Sequence, residues 1–488
     1  MQSHTSASPI TLSYVAALRG VKPRLPGEAF IYADVNCTDT DLLTCLAASN
    51  PEGKFIGVVA DQTLATQAEE QAKLREVENV AFVLGALGSV ALPPLNYLCC
   101  DETKKPLSAV ERNALFGLAE AALAPGGLLN LTYRAVEGDS HLRFLVREFA
   151  PEMDGAQAKE FLAELKKLGS QYFAQNPQAL AQLNEAIAKG QPDEFFSLYD
   201  KGEARSASFN TLVALRPRGF SYAGDTHMAC NYIELSVPSE AQDLVIECQN
   251  NPLYESIKDF VRNRDVRSDI WCRQPAEQSS SLPELFGGFT YGITKLKDEV
   301  PSSIDVLGKT VDLSTPLYRK LIELMTLMPV GIGDFMAHPS GEGFSGTDIV
   351  GAMQILVALG IAQPMRGVLG SNDVSNVSQP RLVGGFNQYL DKVSVTGGNL
   401  WMASSVAGNA MSISARDALV IQALSRAGLA NSVSALMPEL ERLAQNPAQA
   451  AKIMDAAQPT PEMARDMVQD IVGKSIVQWY AYGLLEAA

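Results

Sequence analysis

The chain has 488 residues, of which 47% are hydrophobic and 19% charged, and its formal net charge is −16. This is long enough for about three domains and apolar enough to fill their cores. Such acidity argues against sequence-independent nucleic-acid binding and against an anionic membrane surface, since both need clustered lysine and arginine. A protein partner remains compatible. No apolar run reaches membrane-spanning length, and no basic segment followed by an apolar run opens the chain. A cytoplasmic protein without membrane insertion is therefore expected. Seven scattered cysteines without CxxC spacing and four histidines predict reduced, buried thiols and no metal cluster.

Thr11 to Leu18 has helical periodicity and ends before Lys22-Pro23. Phe30 to Val35 is a short apolar run of strand formers. Asp39 or Thr40 can cap a helix running through Ala48, because their side-chain oxygens can accept from free first-turn N–H groups. Asn50-Pro51-Glu52-Gly53 is a turn, and Lys54 to Val59 is the next strand. Gln62 to Val77 predicts a polar helix, Asn79 to Ala86 a third strand with its loop, and Leu95 to Cys100 a fourth strand. Ser108 with Glu111 forms a capping box for a helix through Ala122. Ala124-Pro125-Gly126-Gly127 ends that helix, and Leu128 to Tyr133 follows as a fifth strand. Strand and helix alternate throughout, as in a doubly wound parallel sheet, where ligands sit at the strand C-termini.

The loop Asp34-Val35-Asn36-Cys37-Thr38-Asp39-Thr40 stands where such a ligand would bind. The stretch resembles the cofactor-binding start of class I S-adenosylmethionine-dependent methyltransferases. More narrowly, it is similar to a bacterial family with a methyltransferase regulatory domain, which includes protein-lysine methyltransferases acting on outer-membrane proteins. That family writes the loop as an acid followed by Leu-Gly-Cys-Gly-x-Gly. Asp34 and Cys37 match; the glycines are replaced by Asn36, Thr38 and Thr40. Glycine there allows positive φ and close approach of backbone to ligand. Asn36 tolerates that region, whereas β-branched Thr38 and Thr40 tolerate it badly. The resemblance places a ribose-binding acid at Val59 and an adenine-binding acid at Ala86. Without the first, about 3–6 kcal/mol of charge-assisted hydrogen bonding is missing. Asp61 is a partial substitute if the chain is still extended there.

Residues 151–205 read as helices, Ala156 to Gln175 and Gln178 to Lys189. An insertion of this kind closes over an active site, makes a dimer contact or merely connects, and the sequence leaves all three open. Phe220 to Asp225 and Asp259 to Trp271 resemble the family's regulatory-domain signature, an Arg-rich segment leading into a strand with an aromatic. By residue type alone, Arg262, Arg264 and Arg267 pair with Asp259, Asp265 and Asp269 on a solvated face, each pair contributing about 0–1 kcal/mol. Pro275 to Gly288 is linker-like. Phe289 to Lys295 and Val306 to Leu313 predict strands; Pro316 to Met328 and Ser345 to Leu359 predict helices. The resemblance implies a winged-helix-like module here, but Ser345 to Leu359 carries no Lys or Arg, so DNA contact is not expected. Phe386 to Leu390, Met402 to Gly408 and Ser412 to Ser414 follow the family in order, and residues 415–486 read as helical.

The expected architecture is α/β. Residues 1–150 form a doubly wound, Rossmann-like methyltransferase domain and 151–205 a helical insertion. Residues 206–300 form an α+β regulatory domain, and 301–488 a winged-helix-like, mostly helical domain. The function implied is that of a pseudo-methyltransferase acting as a binding or regulatory partner of a protein, with no cofactor expected. The alternative is an active S-adenosylmethionine-dependent protein-lysine methyltransferase with an altered cofactor loop, the cofactor held by Asp34, Asp61 and backbone groups around Cys37. A regulator acting through the winged-helix-like module is the third reading. Cys99-Cys100 reads as a pair of buried strand-end thiols rather than nucleophiles, since no basic neighbour activates them.

Overall fold

The computed structural model describes residues 2–3, 7–135, 155–177, 181, 184, 207–264, 266–367, 379–454 and 459–487. Helix α1 (Pro9–Ala17) comes first, capped by Ser8 and buried along its entire length. Then follow β1 (Phe30–Val35), α2 (Thr40–Ser49), β2 (Gly53–Val59), α3 (Gln62–Leu74), β3 (Val80–Leu84), β4 (Leu95–Asp101), α4 (Ala109–Ala122) and β5 (Leu123–Arg134). The capping box at Ser108 and Glu111 is present. Helices α5 (Gly155–Lys167) and α6 (Gln171–Gln175) are separated at Gly169, which has φ +75°, so the single helix expected over 156–175 is two. The helix expected at 178–189 lies almost wholly outside the described residues. The chain continues with α7 (Ala207–Leu215), β6 (Phe220–Asp225), α8 (Tyr254–Arg262) and β7 (Val266–Arg273).

All seven strands form one sheet in the order β3-β2-β1-β4-β5-β7-β6. The first five run parallel, and β7 is antiparallel to both its neighbours. The division expected between residues 150 and 206 is therefore not a division of the sheet: β6 and β7 complete it. Side chains alternate between the faces, as the period of two requires. Phe30, Tyr32, Phe55 and Tyr97 pack on one face with α1 and α2. Ala33, Val35, Leu98, Leu129 and Trp271 pack on the other against Leu115, Phe116 and Ala119 of α4. Burial on both faces explains why the strands read as continuous apolar runs. The Ala124–Gly127 stretch, expected to separate helix from strand, lies inside β5 as a bulge. Leu95 faces Leu123, but Tyr97 faces Leu128. Gly126, at φ +76°, supplies the left-handed turn.

Beyond the sheet, β8 (Thr290–Ile293) precedes a hairpin of β9 (Ser303–Val306) and β10 (Lys309–Asp312), then α9 (Pro316–Leu327), β11 (Val330–Gly331), α10 (Ile332–Ala337), α11 (Gly346–Ala358) and β12 (Ala362–Met365). Strand β8 is central to a three-stranded antiparallel sheet with β11 and β12. Helix α10, with Phe335 fully buried, is an element the sequence reading left out. The chain then forms a hairpin of β13 (Asn399–Ser404) and β14 (Asn409–Ser414), followed by α12 (Ala415–Ala444), α13 (Pro447–Met454) and α14 (Pro461–Ala481). Helix α12 breaks at Gly428 (φ +71°). The end of the chain is a strand, Leu485–Ala487, paired with Pro380–Leu382, and not the end of a helix. Helix α1 links two cores: Leu12, Val15 and Ala16 enter the core on its sheet side, and Ile10, Tyr14 and Ala17 that of α9 and α11. Hairpin β13–β14 rests on the C-terminal end of α2, where Ser49 Oγ donates to Asn409 O (2.9 Å) and Asn50 Nδ2 to Gly408 O (3.2 Å).

Candidate functional site

The five parallel strands end at one edge of the sheet, and the loop after β1 lies at its centre. Asn36 turns that loop with φ +72°. Asparagine is among the few residues that hold the left-handed region at modest cost. Its Nδ2 donates to Asp101 O (3.1 Å) and Lys105 O (2.9 Å), fastening the loop after β1 to the loop after β4. Thr38 and Thr40 do not have positive φ, so the strain expected at those two positions is absent. Thr40 begins α2, and Asp39 caps it by accepting from Leu42 N (2.9 Å). Lys104 reaches across the same edge to within 3.5 Å of Asp39 Oδ2.

Cys37 is buried, its N–H donating to Val58 O (3.0 Å). Burial pushes the Asp34 carboxyl up to about 7; the hydrogen bond from the Cys37 thiol pulls the other way, and the Asp101 carboxylate adds to the rise. Burial also raises the Cys37 thiol well above its ordinary value. Near neutral pH the Asp34 carboxyl is therefore about half protonated, beside a thiol that keeps its proton. Burial likewise raises the Cys99 and Cys100 thiols, in keeping with inert strand-end cysteines.

At the end of β2, Val59 is wholly buried among Cys37, Leu43 and Cys45. Asp61 is exposed with extended backbone, which meets the condition set for it as a substitute, but its Oδ1 accepts from Thr63 N (2.6 Å) as the cap of α3. Ala86 is exposed at the end of β3, and its carbonyl accepts from Ser89 N and Val90 N (both 2.9 Å). Asp34 near the end of β1, Asn36, Cys37 and Thr38 in the loop and Thr40 at the start of α2 therefore lie together, whereas Val59, Asp61 and Ala86 are each taken up by packing, capping or turn geometry. Sequence reasoning missed Asp101, whose Oδ1 accepts from Thr103 N (2.8 Å) and holds the loop that receives Asn36. An acid directly at a strand end, followed by a threonine two residues on, was the available signal.

The arginine-rich segment is not on a solvated face. Arg267 is fully buried on β7 and pairs with Asp259 (2.7 Å), Asp269 (2.9 Å) and Glu255 (2.9 Å). Arg264 pairs with Asp225, and Arg262 donates to Ser236 O and Cys230 O (both 3.1 Å). Asp265 lies outside the described residues. The run looks like surface because its charges alternate in sign; they do so because helix α8 and strand β7 fold back on each other.

Residues 205–273 match the family described as "Predicted methyltransferase regulatory domain". The whole chain is similar to PKMT2 from Rickettsia typhi, with a TM-score of 0.64, 15% identity and 99% of each chain covered. The fold is the Rossmann-like methyltransferase fold of PKMT2, with the match to the regulatory-domain family confined to residues 205–273. PKMT2 in complex with AdoHcy is equally similar, with a TM-score of 0.64, 14% identity and 98% of each chain covered. An uncharacterized protein of Synechocystis is 20% identical over 444 residues, covering 86% of this chain and 85% of that protein. Among the described residues, no helix is long and apolar enough to cross a membrane, and no group of His, Cys, Asp and Glu could hold a metal ion.

Proposed function

We propose that this chain is a methyltransferase-fold protein that acts by binding a protein partner, its cofactor loop having been turned into a structural latch. One observation carries the reading: the Asn36 amide, in the position of the family's first loop glycine, spans the strand edge to the carbonyls of Asp101 and Lys105. The rest of the donor set does not suit an adenosylated ligand. Val59 is in the core where a ribose carboxylate is needed, and the Asp61 carboxylate is engaged as a helix cap. Asp39 occupies the N-terminus of α2, which in this fold attracts an anionic group of the ligand. The net charge of −16 favours a basic protein surface as partner. The module of β8, β11, β12 and α9 to α11 we read as winged-helix-like. Its helix α11 has no basic residue, which supports protein rather than DNA contact.

The AdoHcy bound by PKMT2 makes S-adenosylmethionine and AdoHcy the ligands to test. Calorimetric titration of the full chain is expected to give no saturable heat with either ligand at millimolar concentration. Micromolar binding would establish the other reading, a working methyltransferase acting on a protein lysine. A second arm restores Val59→Asp with glycine at 36, 38 and 40. Gain of AdoHcy binding in that variant is expected; no gain would show that the loop has been misaligned with its family.

A further inference from the structure

We infer that the regulatory domain holds a separate binding site for a small organic acid, one carboxylate on a single-ring or branched apolar body. A cavity of about 130 Å³ lies between α7, α8 and the β6–β7 edge of the sheet. Cavities of similar size take up benzene when their lining is apolar. Here Phe209, Tyr254 and Trp271 supply aromatic walls and Leu212 and Pro252 aliphatic ones, sufficient for one ring or a branched chain.

The polar lining fixes the other end of the ligand. Its acids are already committed: Glu255 accepts from Lys258 (2.6 Å) and from Arg267 (2.9 Å), and Asp269 from Arg267 (2.9 Å) and the Tyr133 hydroxyl. Arg267 is in turn shared among three carboxylates, so each holds a charge-assisted bond without a ligand; the Asp259 Oδ1 atom, buried without a partner, belongs to a residue that does not line the cavity. Donors are what remain. Trp271 is 2% exposed, and its Nε1–H has no hydrogen-bond partner. The Tyr222 oxygen accepts from Arg267 (3.2 Å), which leaves its proton to give. Arg216 is exposed and forms no ion pair among the described residues. A buried donor left unmade is costly, so the missing component is an acceptor. A cationic guest would find the acids neutralised and Arg216 repelling it. The site is separate from the loop after β1, so it stands whether or not that loop binds a cofactor.

The test uses the full chain with ¹⁵N-labelled tryptophan. The chain has three tryptophans, and the Trp271 indole resonance is assigned by its loss in Trp271→Phe. Benzoate, phenylacetate and isovalerate are titrated, with toluene and tetramethylammonium as controls. At least one of the acids is expected to shift the Trp271 Nε1–H resonance downfield and saturably, and neither control to do so. In Arg216→Gln, whose side chain is at the surface, affinity for that acid is expected to fall about tenfold with the other two indole resonances unmoved. The inference fails if none of the three acids gives a saturable shift at millimolar concentration. It also fails if toluene or tetramethylammonium moves the resonance as strongly, or if Arg216→Gln binds the acid as well as the parent does.

Discussion

Asn36 combines two tasks that are normally separate, holding a left-handed backbone and bonding side chain to backbone across a strand edge. Replacing it separates them. Asn36→Gly keeps the conformation and loses two hydrogen bonds, an expected cost of about 1–2 kcal/mol. Asn36→Ala loses the bonds and must also hold positive φ, so about 1 kcal/mol more is expected. Urea unfolding of both variants measures the difference, and equal midpoints would mean that the turn does not demand φ +72°. Asp34 gives a pH-dependent prediction. Its folded carboxyl is raised to about 7, above the unfolded value of about 3.9. The folded state therefore holds a proton that the unfolded state has lost, and stability falls as pH rises between those values. Asp34→Asn is expected to remove that slope from unfolding measured between about pH 4 and pH 7; an unchanged slope would assign it to another group.

At the scale of elements, the pairing of α8 with β7 rests on the buried Arg267 cluster. Arg267→Met leaves Asp259 and Asp269 buried without their cation, at an expected cost of about 3–5 kcal/mol. A loss below about 1 kcal/mol would return the pairs to a solvated surface. This cluster also marks where sequence reading stops. The strands β1, β2 and β4 were legible to within a residue, because buried parallel strands are continuous apolar runs and the caps Asp39 and Ser108 are local signals. Burial of Arg267 was not legible, since nothing near it in sequence shows that α8 and β7 close over one another. Helix α10 escaped for a different reason: with six residues it is too short to show a helical period. For the loop after β1, the loss of glycines was visible, but the relief of strain at Thr38 and Thr40 depended on φ values that residue type does not fix.

Across the whole molecule, the sheet crosses the boundary that composition suggests. Strand β5 is bonded along its outer side to β7, from Leu128 opposite Cys272 to Arg134 opposite Val266. A fragment of residues 1–150 would expose that side, together with the apolar face that Trp271 covers. It is expected to show no cooperative thermal transition and to aggregate, whereas the full chain melts cooperatively. A cooperative melt of the fragment would show that β6 and β7 are an addition to a complete domain. The order of the sheet could not be read from local patterns because β5 and its partner are far apart in the chain, and strand pairing over such distances leaves no short-range trace.

Helix α2 is held at both ends by different parts of the protein. Asp39 fixes its first turn at the strand edge, and Ser49 and Asn50 fix its last turn to hairpin β13–β14. Ten helical residues make a rod about 15 Å long that does not shorten. Any load on the C-terminal helices that tilts the hairpin must therefore either break those contacts or push this rod, and with it the ground on which Asn36 stands.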